Sequence, residues 1–383
     1  MTNSEEWYRG REQTLVKHSL LKDYLGALAN IVGQKYSSIT YVDCFFGPWK
    51  AASERYEDTS FGIAIAELNK ARQQLKAQFN RDVEMRCFFI EKNLRAYDEL
   101  AQFIDRTRAP GLELEAKNGR FENLIPEVSK FVQDKKGTFS FLFIDPRGWK
   151  PIAINTLKPL LQLRPGEVLI NLMTSHLRRF IKTQNQTELF GSNAPIDRLN
   201  NLNGTDLDDE MVALYSSELS KEGGFQYVCA AIILKPSIDI PNYRLIYATR
   251  NQLGLAKFKE AEKRSMIRMQ PARAEAKLRK DEERTGQSGL FPANEIYNSS
   301  YYQQLRDRYL SRSRSRVWNL LSAGPPVSYD DLWKAALADP LVFESDLKEW
   351  LRSNPRVRFS NLEPNERSPK VGCGHLVTLW ATE

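Results

Sequence analysis

Ile39-Thr40-Tyr41-Val42-Asp43-Cys44-Phe45-Phe46-Gly47-Pro48-Trp49 is the stretch that decides the fold. Its apolar run ends in an acid, Asp43, and then breaks on Gly47 and Pro48. Apolar residues at successive positions, rather than alternate ones, mark a strand buried on both faces, as in a parallel sheet covered by helices. Open sheets of that kind bind ligands outside the carboxyl ends of their strands. The turn after Asp43 is therefore expected to border a ligand.

Working outward, residues 12–34 carry Leu15, Leu20, Leu21, Tyr24, Leu25, Leu28 and Ile31 at helical spacing. Strands are predicted over 39–46, 85–90, 112–116, 138–144, 167–173, 227–235 and 243–249, and helices over 61–79, 94–106, 121–133 and 152–163. Strands alternating with helices imply right-handed crossovers and an α/β fold, a doubly wound, seven-stranded, mostly parallel sheet. A polar loop and a helix near 206–220 separate the fifth and sixth strands, an insertion over about 175–225. Beyond Thr249 the chain turns helical and charge-rich over 253–284, then breaks at Thr285-Gly286-Gln287-Ser288-Gly289. This divides it into an α/β domain at 1–260, a charged helical linker at 261–300 and a C-terminal domain at 301–383. In the last part, helices at 301–321 and 344–354 flank a short one after Ser328. Val357-Arg358-Phe359 and a strand at 374–380 complete the order of a winged helix-turn-helix.

Composition narrows the classes. The 383 residues are 42% hydrophobic and 27% charged, the balance of a globular protein with a sizeable core. No apolar run nears the ~18 residues that span a bilayer, so no membrane partner is expected. The polar, acidic N-terminus reads as neither a secretory nor a transit peptide. Cys44, Cys87, Cys229 and Cys373 are scattered, without a C-x-x-C pair, which suits a reducing cytoplasm. No G-x-S-x-G, phosphate-loop or kinase signature occurs and no metal ligands recur at paired spacing, so neither triad hydrolysis, phosphoryl transfer nor a metal site is expected. The net charge of +7 is mild. More telling is a cluster, Arg306, Arg308, Arg312, Arg314 and Arg316, interrupted by Asp307 as its one acid. It is read either as a phosphate-binding surface or as a solvated helix face.

Candidate site residues are those at the ends of the predicted strands. Asp43, Gly47 and Pro48 close the first, Glu91 the second, Asn118 follows the third, and Asp145-Pro146 ends the fourth with Trp149 nearby. A carboxylate such as Glu91 can accept both hydroxyls of a ribose through its two oxygens, or it can cap the helix that follows. Asp145 with the Pro146 carbonyl can hold an amine so that its lone pair faces an electrophile, or form an ordinary Asp-Pro turn. Trp149 could stack on a base or cofactor. His18 and His176 are read as structural or rim residues, and Cys44 as packed.

Together, Asp43-Cys44-Phe45-Phe46-Gly47-Pro48, Phe89-Ile90-Glu91-Lys92-Asn93 and Phe141-Leu142-Phe143-Ile144-Asp145-Pro146-Arg147-Gly148-Trp149 resemble the three-Cys-motif partner proteins. Tyr243-Arg244-Leu245-Ile246-Tyr247-Ala248-Thr249 and the Lys17-His18 pair share the likeness. The resemblance implies a class I S-adenosylmethionine-dependent methyltransferase-like fold, with S-adenosylmethionine held by Asp43, Gly47, Pro48, Glu91 and Asn118. Asp145, Pro146 and Trp149 would then position the methyl acceptor. It also implies a bacterial partner enzyme bearing three cysteines, similar to radical enzymes of DNA repair. DNA would be met through the winged-helix-like domain and Arg306, Arg312, Arg314 and Arg316. Three positions depart from the family pattern. Phe46 and Trp49 stand where a small residue and a second glycine are usual, and Arg147 stands where amine methyltransferases repeat proline. An indole at position 49 would fill space meant for the methionine part of the cofactor. The alternative reading is therefore a catalytically degenerate, DNA-binding or scaffold protein.

Overall fold

Buried strands and helices alternate along the chain, which the computed structural model describes for residues 6–45, 51, 53, 56–146, 148–181, 186–191, 195–287, 292–297, 300–324 and 326–380. Helix α1 (Glu12–Val32) precedes β1 (Ser38–Asp43), α2 (Ser60–Phe79), β2 (Glu84–Glu91), α3 (Leu94–Thr107) and β3 (Leu112–Asn118). Then come α4 (Phe121–Gln133), β4 (Thr138–Ile144), α5 (Ile154–Leu161) and β5 (Gly166–Leu172). After the short helices α6 (Thr174–Phe180) and α7 (Gln186–Phe190), α8 (Gly204–Gly223) leads to the hairpin β6 (Tyr227–Leu234) and β7 (Pro241–Thr249).

These strands form one sheet in the order β3-β2-β1-β4-β5-β7-β6. β1 to β5 pair in parallel, while β7 runs antiparallel to β5 and to β6. This is the expected doubly wound, seven-stranded, class I methyltransferase-like sheet. Strand alternation sorts side chains between two cores. Tyr41, Phe89, Phe141 and Leu169 face one cluster with α1, α2 and α3, and Val42, Phe88, Leu142 and Ile170 face the other with α4, α5 and α8. No described helix is long and apolar enough to cross a membrane.

Several bounds differ from those read in the sequence. β1 ends at Asp43 rather than at 46: the apolar run continues through Cys44 and Phe45, but ladder pairing stops. β3 runs two residues past the expected 116, because an edge strand needs no apolar residues on its outer face. The helix read over 152–163 forms as a 3-10 turn at Lys150–Ile152 followed by α5.

Helix α9 (Gln252–Thr285) runs unbroken through the boundary expected at residue 260. Its composition is polar, yet Leu255, Phe258, Glu262, Met266, Met269, Arg273 and Ala276 make a buried stripe at helical spacing. The stripe lies against α1 and the sheet. Arg273 reaches from it to the Lys235 and Ile238 carbonyls and to Asp239, clamping the β6–β7 turn.

The C-terminal module follows α10 (Ala293–Ile296) and contains α11 (Ser300–Ser322), β8 (Val327–Ser328), α12 (Tyr329–Leu337), α13 (Glu344–Ser353), β9 (Val357–Ser360) and β10 (Leu376–Leu379). Its strands pair antiparallel in the order β8-β10-β9, and Tyr329, Leu332, Trp333 and Leu347 are buried beneath. A buried pair joins the module to α9: Lys259 Nζ lies 2.5 Å from Glu262 Oε2 and donates to the Asp339 carbonyl at 2.9 Å. Glu262 Oε1 accepts from the Leu341 backbone at 2.9 Å. Leu341 is fully buried at φ 61, a left-handed conformation that costs a branched side chain energy unless its surroundings hold it. Glu262 does so from one side, and Arg306 donates to the Leu341 carbonyl from the other.

Removing one partner of a buried pair strands the other's charge. Glu262→Ala is expected to lose about 3 kcal/mol or more of stability in urea unfolding, while Lys259→Met with Glu262→Leu recovers most of it. A loss below about 1 kcal/mol for the single change would show that the pair is not holding the module.

Candidate functional site

The strand order reverses between β1 and β4, so the carboxyl ends of neighbouring strands diverge there into a crevice. A cavity of about 760 Å³ occupies it. Its wall takes Cys44 and Phe45 from the end of β1, Glu91 from β2, Asp145 and Pro146 from β4 and Asn171 from β5. Helix α1 covers one side with Gln13, Thr14, Lys17 and His18, and Tyr243 enters from β7.

Asp43 lies behind this wall, fully buried. Its Oδ2 accepts from Ser60 Oγ at 2.6 Å and from the Tyr41 hydroxyl at 3.4 Å, and its Oδ1 from the Phe45 backbone at 3.2 Å. Burial pushes its carboxyl up to about 6; the bonds from Ser60 and Phe45 oppose that rise without cancelling it. The side chain thus ties the end of β1 to the first turn of α2, and its neighbours Cys44, Phe45 and Ser60 meet the cavity in its place.

Glu91 is 2% exposed and accepts from the Asn93 backbone at 2.5 Å. Asn93 in turn caps α3 by accepting from the Ala96 backbone at 3.1 Å. The carboxylate is therefore aimed from the strand end without serving as that cap itself. Asn118 stands exposed at the end of β3 and is absent from the cavity wall. It acts through Glu91, donating from Nδ2 to the Glu91 carbonyl at 2.8 Å. Gly119, Arg120 and Phe121 beside it do line the cavity, and the Phe121 ring lies 4.9 Å from that of Phe45.

Asp145 is held at both oxygens. Lys17 Nζ pairs with Oδ2, and Asn171 Nδ2 donates to Oδ1 at 2.6 Å. That bond fixes which way the Asn171 amide points, and its Oδ1 has no hydrogen-bond partner among the described residues. Nearby, Arg11 pairs with buried Asp58. His18 accepts from or donates to the Tyr8 hydroxyl at 3.1 Å. Burial, with Lys17 and Arg11 close by, drives the His18 pKa well below its usual value, so the ring stays neutral at pH 7.

Of the residues singled out in the sequence, Glu91, Asp145 and Pro146 meet in one cavity, with Asp43 and Asn118 supporting them from outside it. Gly47 and Pro48, with Phe46, Trp49 and Arg147, lie outside the described residues. Trp149 packs against the core cluster beneath α4 and α5 rather than into the cavity, so the stacking role expected of it has no support in its position. The arginines of α11 turn to acids of this chain. Arg306 pairs with Asp346, Arg312 with Asp209 and Asp339, and Arg316 with Asp339, while Arg314 is exposed. Lys17 and Asn171 carry more of the site than their sequence context suggested. A signal existed for Lys17: Thr14, Lys17 and His18 share one helix face at i, i+3 and i+4.

No family model matches this sequence, and no curated protein matches it, so the likeness to the three-Cys-motif partner proteins rests on the residues quoted above. Among solved structures, the chain is similar to a Legionella pneumophila str. Philadelphia 1 protein of the family model DUF519, at 11% identity and TM-score 0.40, covering 66% of this chain and 92% of that one. It is also similar to an O-methyltransferase from Bacillus cereus in complex with SAH, at 14% identity and TM-score 0.31, over 60% and 80% of the two chains. A loganic acid methyltransferase with SAH matches at 10% identity and TM-score 0.30, over 80% and 92%.

The Asp43 carboxyl has a folded pKa above its unfolded value, so it stabilises the fold fully below about pH 4, and that stability is lost as pH rises through about 6. Relative to Asp43→Asn, the unaltered chain should lose about 2 kcal/mol of unfolding free energy between pH 4 and 7. Urea unfolding across that range checks it, and a pH-independent difference would contradict the buried assignment.

Proposed function

We propose that this chain is an S-adenosylmethionine-dependent methyltransferase acting on an amine of nucleic-acid type. The observation that carries this is the convergence of Glu91 and Asp145 on one cavity from strands on either side of β1. The residues present fit the cofactor. The cavity volume of about 760 Å³ suits a molecule of that size. Glu91, in the cavity wall, would accept ribose hydroxyls, and the paired Phe45 and Phe121 rings would offer an apolar slot for a purine. Gly119 lies in the same wall beside Phe121.

When bound, S-adenosylmethionine supplies an electrophilic methyl group on sulfur. The chain's part is to bind and orient. Asp145 and the Pro146 carbonyl accept N–H bonds from the acceptor amine, so that its lone pair faces inward. Both oxygens of Asp145 already have donors, Lys17 and Asn171, so the incoming N–H displaces one of them or shares its oxygen.

Calorimetry with S-adenosylhomocysteine tests this reading. Glu91→Gln, which keeps shape and loses charge, should weaken binding about tenfold or more. Asp145→Asn should bind normally and fail to methylate. No saturable binding by the unaltered chain at about 1 mM ligand would end the proposal.

The same reading gives the C-terminal module the task of meeting DNA, with a three-Cys-motif enzyme as partner. Its element order, helix-strand-helix-helix-strand-strand, is that of a winged helix and supports this. Arg314 and Arg358, both exposed, are the arginines this reading offers to DNA phosphates. Neutralising Arg314 and Arg358 together should lower DNA affinity and flatten its log–log salt slope by about 2. An unchanged slope would remove them from the interface.

A further inference from the structure

A second cavity, of about 340 Å³, lies where three parts of the chain meet: α8, the β6–β7 edge of the sheet and the C-terminal module. Four cationic side chains line it. Arg244 comes from β7, Arg312 and Arg316 from α11, and Lys334 from α12. The acids in its wall are Asp209 and Asp339. Cations in its lining therefore exceed acids by two.

Those acids are heavily shared. Asp209 receives Arg244 at 3.4 Å, Arg308 at 2.7 Å, Arg312 at 3.1 Å and the Tyr309 hydroxyl at 2.9 Å. Asp339 receives Arg312 at 2.8 Å and Arg316 at 3.1 Å. Arg244 is 1% exposed, and its two bonds, to Asp209 and to the Tyr309 hydroxyl at 3.1 Å, both leave from Nη2. Its Nη1 has no hydrogen-bond partner among the described residues. That nitrogen is closed off from the cavity by burial, so Arg244 offers an anion there its charge rather than a bond. Ser216, Ser217 and Gln226 add hydroxyl and amide donors to the wall. Lys334 stands exposed at the rim, 5.9 Å from the Tyr227 ring centroid.

We propose that this cavity binds a phosphate dianion, free or carried on a small nucleotide, and that the bound anion ties the C-terminal module to the sheet. A phosphate monoester carries close to two negative charges at neutral pH, which matches the cation surplus, and its oxygens suit guanidinium forks. Arg244 belongs to the sheet while Arg312, Arg316 and Lys334 belong to the module. An anion between them adds bonds across the junction that exist in the folded, docked state alone, so it must raise stability by mass action. The site is separate from the crevice at the strand ends and does not depend on methyl transfer.

The test uses the full chain, titrated with inorganic phosphate and with adenosine 5′-monophosphate at constant ionic strength in chloride, read by thermal unfolding and calorimetry. Saturable binding and a rise in Tm beyond the chloride control are expected. Lys334→Glu should weaken binding about fivefold or more through one lost charged contact. Ala213→Trp alters no charge; Ala213 is exposed on the cavity wall, so the indole should block entry and remove the Tm shift while leaving the fold intact. Tighter binding of the nucleotide than of phosphate assigns the site to a nucleotide, and equal affinities assign it to the phosphate group alone. Two results would overturn the proposal: no saturable binding below about 10 mM, or binding that Ala213→Trp leaves unchanged.

Discussion

A carboxyl group with no solvent contact, Asp43, sits where the strand order reverses, and the geometry of the crevice depends on keeping it there. Burial favours its neutral form, while Ser60 and the Phe45 backbone favour its charged form, and the balance leaves it near 6. The bonds that achieve this reach across the connection between β1 and α2 and pin both of its ends. Cys44 and Phe45 are thereby turned toward the cavity, and the ends of β2 and β4 stand on either side with Glu91 and Asp145. The site is a consequence of topology first and of residue chemistry second, because parallel strands wound in opposite directions from β1 must leave an opening at their carboxyl ends.

Charge plays a different part at the other end of the molecule. The C-terminal module is joined to the sheet domain by buried and half-buried ions: Lys259 with Glu262, and a group of arginines sharing Asp209 and Asp339. Such contacts are poor sources of net stability, since each ion has given up water, but they are specific, because a misplaced module would leave charges unpaired. The left-handed Leu341, gripped by Glu262 and Arg306, shows how closely that joint is defined. It also explains why a basic cluster in α11 is not a free electrostatic surface.

Much of this was legible in the sequence where the cause is local. The runs at 138–144 and 121–133 are strand and helix at those bounds, because each is uniform in period and closed by a clear breaker. That Glu91 and Asp145 lie at strand ends was legible, because each acid directly follows a buried apolar run, and both line the one cavity. Non-local causes were hidden. Nothing near Arg312 or Arg316 reveals that Asp209 and Asp339 will fold against them, and the apolar run past Asp43 gives no sign that pairing ends there. Helix α9 was obscured by its composition: abundant charge concealed a buried stripe in which Lys259, Glu262 and Arg273 are themselves interior. Trp149 looked available to a ligand because it follows the Asp-Pro pair, yet it packs against the core.

A crystal of the chain grown with saturating S-adenosylhomocysteine decides whether the crevice at the strand ends is a binding site. The ligand should lie in the cavity beside β1, with its ribose hydroxyls on Glu91 and its purine near Phe45 and Phe121. A ligand bound elsewhere, or a crevice that stays empty at saturation, would contradict it.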